Sequence, residues 1–543
     1  MKKHFVLFLL FHFTINFSFS QTFPIGSNSI DEKMRDLQLQ GKLNQKYSFL
    51  NRPYNNDHFL SIDSIVNRLD TTFKYSIPKY ELIKNIHLQL LPASTIVRYN
   101  SHHPYGFNQQ GFIDSKGFQN YTSTGFYIKY GILDIQFLPE FINASNPTFE
   151  TSNQYGTATK GPYHKTLLGQ SFIRLSTKKV SLALSTENRW WGPGIKNSLI
   201  MSNNAPGFMH LALNSKGPIK TPIGNIEFTL LGGKMIQDTN VLLEIKNLRT
   251  FYYAQGNYSG EPSYASLDTG SWRYVNSINL VYNPIFAPSL FLSFNRVGYA
   301  YNNYLKHNDI IQDYLPVFNG LFRSTSKHYT STGENTKTKQ LVSFGGRYVF
   351  YKSHAEIYAE YGIGDNTYNL RDFALSIDHG AIFTVGFKKL TQLNNKKWLD
   401  IESEMTNLTQ SFNNRYRGTG GDWYLYQGSY TNQGRIIGSG FGMNSLYQFF
   451  KTSIKNNLNE KGIFLERIIY NTTLEPNYSL NKKWVDYSIG YIYQKRFRNI
   501  LLNARNQFIF SDNYAWKIDV KRFNFNFQLG LFYFISKKND KIK

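Results

Sequence analysis

From about residue 84 to about residue 535, apolar side chains recur at every second position, and this period constrains the fold more than any other feature. Val180, Leu182 and Leu184 alternate with Ser181, Ala183 and Ser185. Ile357, Ala359 and Tyr361 alternate with Glu356, Tyr358 and Glu360, and Leu399, Ile401 and Met405 take the parity opposite to Asp400, Glu402 and Glu404. Near the end, Phe523, Phe525, Phe527, Leu529, Leu531, Tyr533 and Ile535 share one face. Alternate side chains of a strand point to opposite faces, so each segment has one apolar and one polar side. A soluble propeller is excluded by the lack of a blade-length repeat, and a sandwich by too many strand-like segments for one core. Polar connections of unequal length, at 143–162, 257–270, 307–337 and 413–434, suit a transmembrane barrel with tight turns at one end and long loops at the other. About 450 residues correspond to roughly 16 to 20 strands on the scale of outer-membrane barrels. The expected fold class is an all-β membrane protein, a large antiparallel transmembrane β-barrel over residues 84–536.

Composition agrees. Aromatic residues make up 17% of the 543, and the 39 Tyr and 44 Phe are spread along the whole length, as girdled strands require. Cysteine is absent, which removes disulfides, thiolate metal sites and a lipid anchor through cysteine. Lys2 and Lys3, an apolar run from Phe5 to Phe17, then Ser18 and Ser20 have the order of a secretory signal peptide, expected over residues 1–20. Residues 21–83 are expected to form a small periplasmic helical region. Ser29 and Glu32 have capping-box spacing, Ile30, Met34 and Leu37 share a face, and Gly41 suits a helix stop. Ile62, Ile65, Val66 and Leu69 define a second helix, with residues 51–57 read as a polar linker. Residues 537–543 form a basic tail. The net charge of +24 suits, in an exported chain, either anionic polysaccharide or lipid headgroups as partners or a lysine-rich solvated periplasmic face, and points away from nucleic acid.

If the apolar parity faces lipid, then Arg98, Arg174, Glu356, Glu360, Asp400, Glu402 and Glu404 face the lumen. There they pair with one another or with a plug, or else line a wet pore. Pairing is favoured, because the Asp400, Glu402 and Glu404 row would otherwise repel itself. No catalytic constellation stands out, so no enzymatic activity, cofactor or metal is expected. His102 and His103, adjacent on a strand, would point to opposite faces. The glycine-rich run 438–442 lacks a phosphate-cradling helix and reads as a close-packed barrel strand. Sugar binding needs aromatic faces with amide and charged groups around them. Arg415, Tyr416, Arg417, Trp423, Tyr424 and Tyr426 form one such set, and Tyr252, Tyr253, Tyr258 and Tyr264 another.

One short stretch is more individual. Trp190-Trp191-Gly192-Pro193-Gly194, followed by Asn203-Asn204, places two tryptophans where a strand meets a sharp turn. By residue chemistry the pair is an interfacial anchor, a packed corner or a sugar-stacking platform, the first two favoured. The stretch resembles the signature of the outer-membrane capsule assembly proteins of the Wzi family. The resemblance extends in order through Phe137 to Phe141, Gly169 to Arg174, Glu356 to Gly362, Arg371 to Phe373, Tyr430 to Arg435 and Leu465 to Arg467. It implies a barrel of about eighteen strands with helices on the periplasmic side, and a lectin-like role. That role is binding and anchoring capsular or other exopolysaccharide at the cell surface, with lipopolysaccharide, outer-membrane lipid and envelope assembly machinery as further partners. The alternative is a porin or channel for small solutes or oligosaccharides.

Overall fold

The structure, a computed structural model, describes residues 30–43, 45–54, 62–83, 86–150, 161–236, 272–302, 305, 339–364, 381–409, 430–442, 445–470 and 483–535. One antiparallel sheet of 24 segments dominates it. Eight segments are halves of four kinked strands, spanning 86–100, 117–130, 133–144 and 163–176, and two more are short arms, Lys79–Ile83 and Ile219–Thr221. Each kinked strand counted once, eighteen strands remain among the described residues. The last strand, Arg522–Tyr533, pairs with Ala93–Asn100 of the first, which brings the wall around. Apart from the side arm Ile219–Thr221, the hydrogen-bonded ladder is a path with two ends, Lys79–Ile83 and Tyr163–Leu167, and is not a closed ring. Covalent continuity through the kinks joins its two arms. This is the barrel fold that the alternation predicts.

Burial follows the parity. Ile357 is 47% exposed while Glu356 is fully buried, and Leu182 and Leu184 are exposed between buried Ser181, Ala183 and Ser185. The exposed set (Ile173, Leu211, Phe344, Phe450, Ile463, Phe508 and their like) forms an apolar outer face. Among the described residues, no helix is long and apolar enough to cross a membrane.

The inside of the wall is filled by chain. Helix α1 (Ile30–Leu39) ends where the sequence places the stop, with Gly41 at φ +72 and the Lys42 amide donating to the Leu37 carbonyl. Ile30, Met34 and Leu37 pack on Ile65, Val66 and Leu69 of helix α2 (Ile62–Leu69), and on Leu458, Leu501 and Phe534 of the wall. Lys33, Arg35 and Asp36, off that apolar stripe, are buried as well. A short helix buried on its charged face must sit within the barrel, and Leu458 and Leu501 place it at the tight-turn end. The linker reading of 51–57 needs correction. Asn51 and Arg52 are buried and pair as a two-residue strand with Trp191 and Trp190, because their backbone groups meet an inward loop.

Higher up, three connections turn inward, covering 101–116, 186–208 and 430–442. Tyr105, Trp191, Leu199, Ile200, Phe208, Tyr430, Ile437 and Phe441 share one core with wall residues such as Val275, Val297, Tyr447 and Phe464. The glycine-rich run lies in this filling and not in a barrel strand. Gly440 abuts the Asn204 side chain, which leaves no room for a Cβ.

Candidate functional site

The loop between the strands Val180–Ser185 and Met209–Ser215 descends into the barrel and carries the tryptophan motif. Trp190 and Trp191 are buried, so the interfacial-anchor reading is overturned and neither ring is open to a sugar. They form a packed corner, as the Gly-Pro-Gly turn suggests. The Trp191 amide donates to the Met201 carbonyl, and the Gly192 amide donates to the Leu50 carbonyl at 3.0 Å. Gly192 has φ +138, and a Cβ there would meet Glu360 Oε2 at 2.5 Å. Pro193 offers its carbonyl to Arg35 of α1 at 2.7 Å, and Gly194 offers its own to Arg52.

Two carboxylates of the wall hold the turn. Glu404 accepts from the Ile195 amide at 2.6 Å and the Lys196 amide at 3.0 Å, and from the Tyr358 hydroxyl at 2.8 Å. Glu360 accepts from the Leu199 amide at 3.2 Å and the Ser343 hydroxyl at 2.7 Å. The expectation that the whole acidic row pairs with bases is therefore corrected for these two, which bind backbone N–H groups of the inserted loop. Asn203 accepts the Gln110 amide on its carbonyl, and Asn204 donates to the Ile436 carbonyl at 3.0 Å. The two asparagines thus tie the motif loop to the other inward connections.

The other charges of the predicted lumen set, Arg98, Arg174, Glu356, Asp400 and Glu402, form ion pairs. Glu356, Lys388, Glu402 and Lys451 stand opposite one another in register across four strands, so signs alternate along one row. Lys451 lies 2.9 Å from Glu402, Lys455 lies 2.7 Å from Asp400, and Arg347 binds Glu356. Helix α1 adds both signs to this row. Asp36 lies 2.9 Å from Lys388 and 2.6 Å from Lys455, Arg35 lies 2.6 Å from Glu356, and Lys33 lies 3.3 Å from Glu460. Burial raises the Asp36 carboxyl, but Lys388 and Lys455 outweigh it and hold the group below its ordinary value. Arg174 pairs with Asp134 at 3.4 Å, and Arg98 lies 3.8 Å from Asp114.

His102 and His103 are not on a strand. They follow its end at Asn100, so they are not held to opposite faces, and their Nδ1 atoms lie 3.2 Å apart. Burial and the neighbouring His102 push His103 down to about 3. Among the described residues, no group of three or more His, Asp or Glu side chains is arranged to hold a metal.

Arg415, Tyr416, Arg417, Trp423, Tyr424 and Tyr426 lie outside the described residues, as do Tyr252, Tyr253, Tyr258 and Tyr264. The sequence reading missed Lys388, Lys451, Lys455 and α1 as partners of the acidic row. Parity alone would have put the three lysines on the inner face, but no periodic signal says that a helix inserts among them.

A large antiparallel barrel with an apolar outer face and a lumen packed by its own chain is an outer-membrane type of fold. The family described as capsule assembly protein Wzi matches residues 93–266, which contain the whole tryptophan motif. This bears out the resemblance read from the sequence. Among solved structures, the chain is similar to Wzi of Escherichia coli, an outer-membrane protein involved in group 1 capsule assembly and a carbohydrate-binding β-barrel. Identity is 11%, the TM-score is 0.58, and 94% of this chain and 99% of that one are covered. Pseudomonas aeruginosa OccK5 aligns at 10% identity and a TM-score of 0.38, over 84% of this chain and 99% of that one. Pseudomonas aeruginosa OpdQ aligns at 11% and 0.37, over 84% and 99%. No curated protein sequence matches the chain.

Proposed function

We propose that this chain is an exported outer-membrane barrel that binds capsular or other exopolysaccharide and anchors it at the cell surface, without turnover. The observation that carries this reading is the packed lumen. Helix α1 fills the tight-turn end through buried ion pairs, and the motif loop fills the middle through Glu360 and Glu404. A barrel filled at two levels by its own chain is suited to holding a ligand at its long-connection end, not to passing one through. The Wzi family match and the carbohydrate-binding character of the Escherichia coli barrel point the same way. In the usual orientation of such barrels, the long connections face the cell exterior and α1 faces the periplasm. The net charge of +24 suits an acidic glycan, with lipopolysaccharide as a second anionic neighbour.

The test is to titrate the detergent-folded barrel with polysaccharide extracted from its own cell surface, across a salt series. Saturable binding that weakens as salt rises is expected. Replacing Arg415, Arg417 and Trp423 together by alanine is expected to weaken it about tenfold or more, as loss of an aromatic and charged contact set would. Absence of binding to any extracted glycan at low salt would overturn the proposal.

A further inference from the structure

Toward the long-connection end of the lumen, three side chains from three separate elements converge. Arg98 comes from the strand Ala93–Asn100, Asp114 from the 101–116 connection, and Arg435 from the inward stretch 430–442. Arg98 Nη1 lies 3.8 Å from Asp114 Oδ1, and Arg435 Nη2 lies 3.3 Å from Asp114 Oδ2 and from Asn204 Oδ1. Arg98 is 0% exposed and Arg435 2%. Even so, both terminal nitrogens of Arg98 and Nη1 of Arg435 have no hydrogen-bond partner among the described residues, and neither does Asp114 Oδ1. The Arg98 guanidinium is held in place, with the Phe112 ring 4.7 Å from it and Gly106 so close that a Cβ would strike Nη1.

Charge does not balance here. Two guanidinium groups face one carboxylate, while nearby Arg505 is neutralised by Glu466 at 2.7 Å. Burial raises the Asp114 carboxyl above its ordinary value despite both arginines, which leaves the cluster more positive still when Asp114 takes up a proton. A buried charged donor without an acceptor is costly, and an anion presenting two or three oxygens would remove that cost. Aromatic rings stand beside the cluster, with Tyr105 and Phe441 packed on half-buried Phe107 at 5.4 Å and 4.8 Å.

We infer that Arg98 and Arg435 form an anion-binding subsite that takes the carboxylate of an acidic sugar, with Asp114 as the counter-charge that competes for it. The planar guanidinium fork matches a carboxylate, and half-buried Phe107, next to Gly106 in the chain, offers an apolar face to the sugar. The inference rests on the polysaccharide-binding reading and sharpens it to hexuronate-type residues.

Calorimetric titration of the detergent-folded full chain with glucuronate, glucose and inorganic sulfate at matched ionic strength tests it. Saturable glucuronate binding without glucose binding is expected. Arg435→Gln should weaken glucuronate binding about tenfold, the loss of one charge-assisted contact. Asp114→Asn should tighten it severalfold, an effect that a purely structural cluster would not produce. If Arg435→Gln fails to fold, Asp114→Asn and Arg98→Lys still decide, since lysine keeps the charge but loses the fork and should bind more weakly. No glucuronate binding by either wild type or Asp114→Asn would overturn the subsite, as would equal binding of glucose. Sulfate binding without glucuronate binding would overturn its assignment to a sugar acid. Whole polysaccharide that still binds in those cases leaves the anchoring role standing, whereas loss of all polysaccharide binding removes that role itself.

Discussion

Gly192 and Gly194 show how narrow the tolerance is at single positions. A Cβ on Gly192 would face Glu360 Oε2, which is pinned by the Leu199 amide and the Ser343 hydroxyl, at a backbone angle that side chains rarely adopt. A Cβ on Gly194 would strike the Asn197 carbonyl, and backbone cannot step aside as a side-chain tip can. Gly194→Ala is therefore expected to destabilise the folded barrel by about 1–3 kcal/mol, read as a lower melting temperature in detergent. An unchanged melting temperature would mean that the turn is not fixed as described. The need for a tight turn is visible in Gly-Pro-Gly. That two glutamates 161 and 209 residues away hold its amides is not, because only the folded barrel brings them together.

At the scale of elements, α1 matters most. It is ten residues long and would be marginal as a helix alone. It is held because its apolar stripe meets α2 and the wall while Lys33, Arg35 and Asp36 join the strand charges. The carboxyl of Asp36 faces Lys388, Lys455 and Lys33 and is depressed below its ordinary value, so the unfolded chain takes up the proton first as pH falls. Its stabilising contribution is thus fully present above about pH 4 and is lost as pH drops through the still lower folded value. Protease cleavage within the helical region is expected to stay slow from about pH 8 to 5 and to rise only in stronger acid. Asp36→Asn should speed that cleavage at neutral pH, because it leaves buried Lys388 and Lys455 short of a partner. Unchanged cleavage in the variant would contradict the ionic anchoring of α1. Both helices and the strand parity were legible from the sequence, since periods of 3.6 and 2 are local properties. The insertion of α1 between strands was not, and neither was the pairing of Asn51 and Arg52 with the tryptophans, because both are set by tertiary contact.

The whole molecule is a barrel whose interior is occupied by its own chain at both the tight-turn end and the middle. Reading outward-facing apolar positions from alternation succeeded in the strands at 180–185, 355–364, 397–407 and 522–533, because one face must meet apolar surroundings wherever the strand lies. The same alternation leaves the inward polar face open to two uses, a wet pore or a packed interior, since either accepts charges. What separates them is the filling by 101–116, 186–208 and 430–442, segments that carry no period of their own. Conductance of the full chain in a planar bilayer tests whether the interior is filled. A barrel filled in this way should show no steady ohmic current at any voltage that leaves the bilayer intact. Stable, voltage-independent current steps from the purified protein would contradict it, and would make the barrel a conduit for solutes.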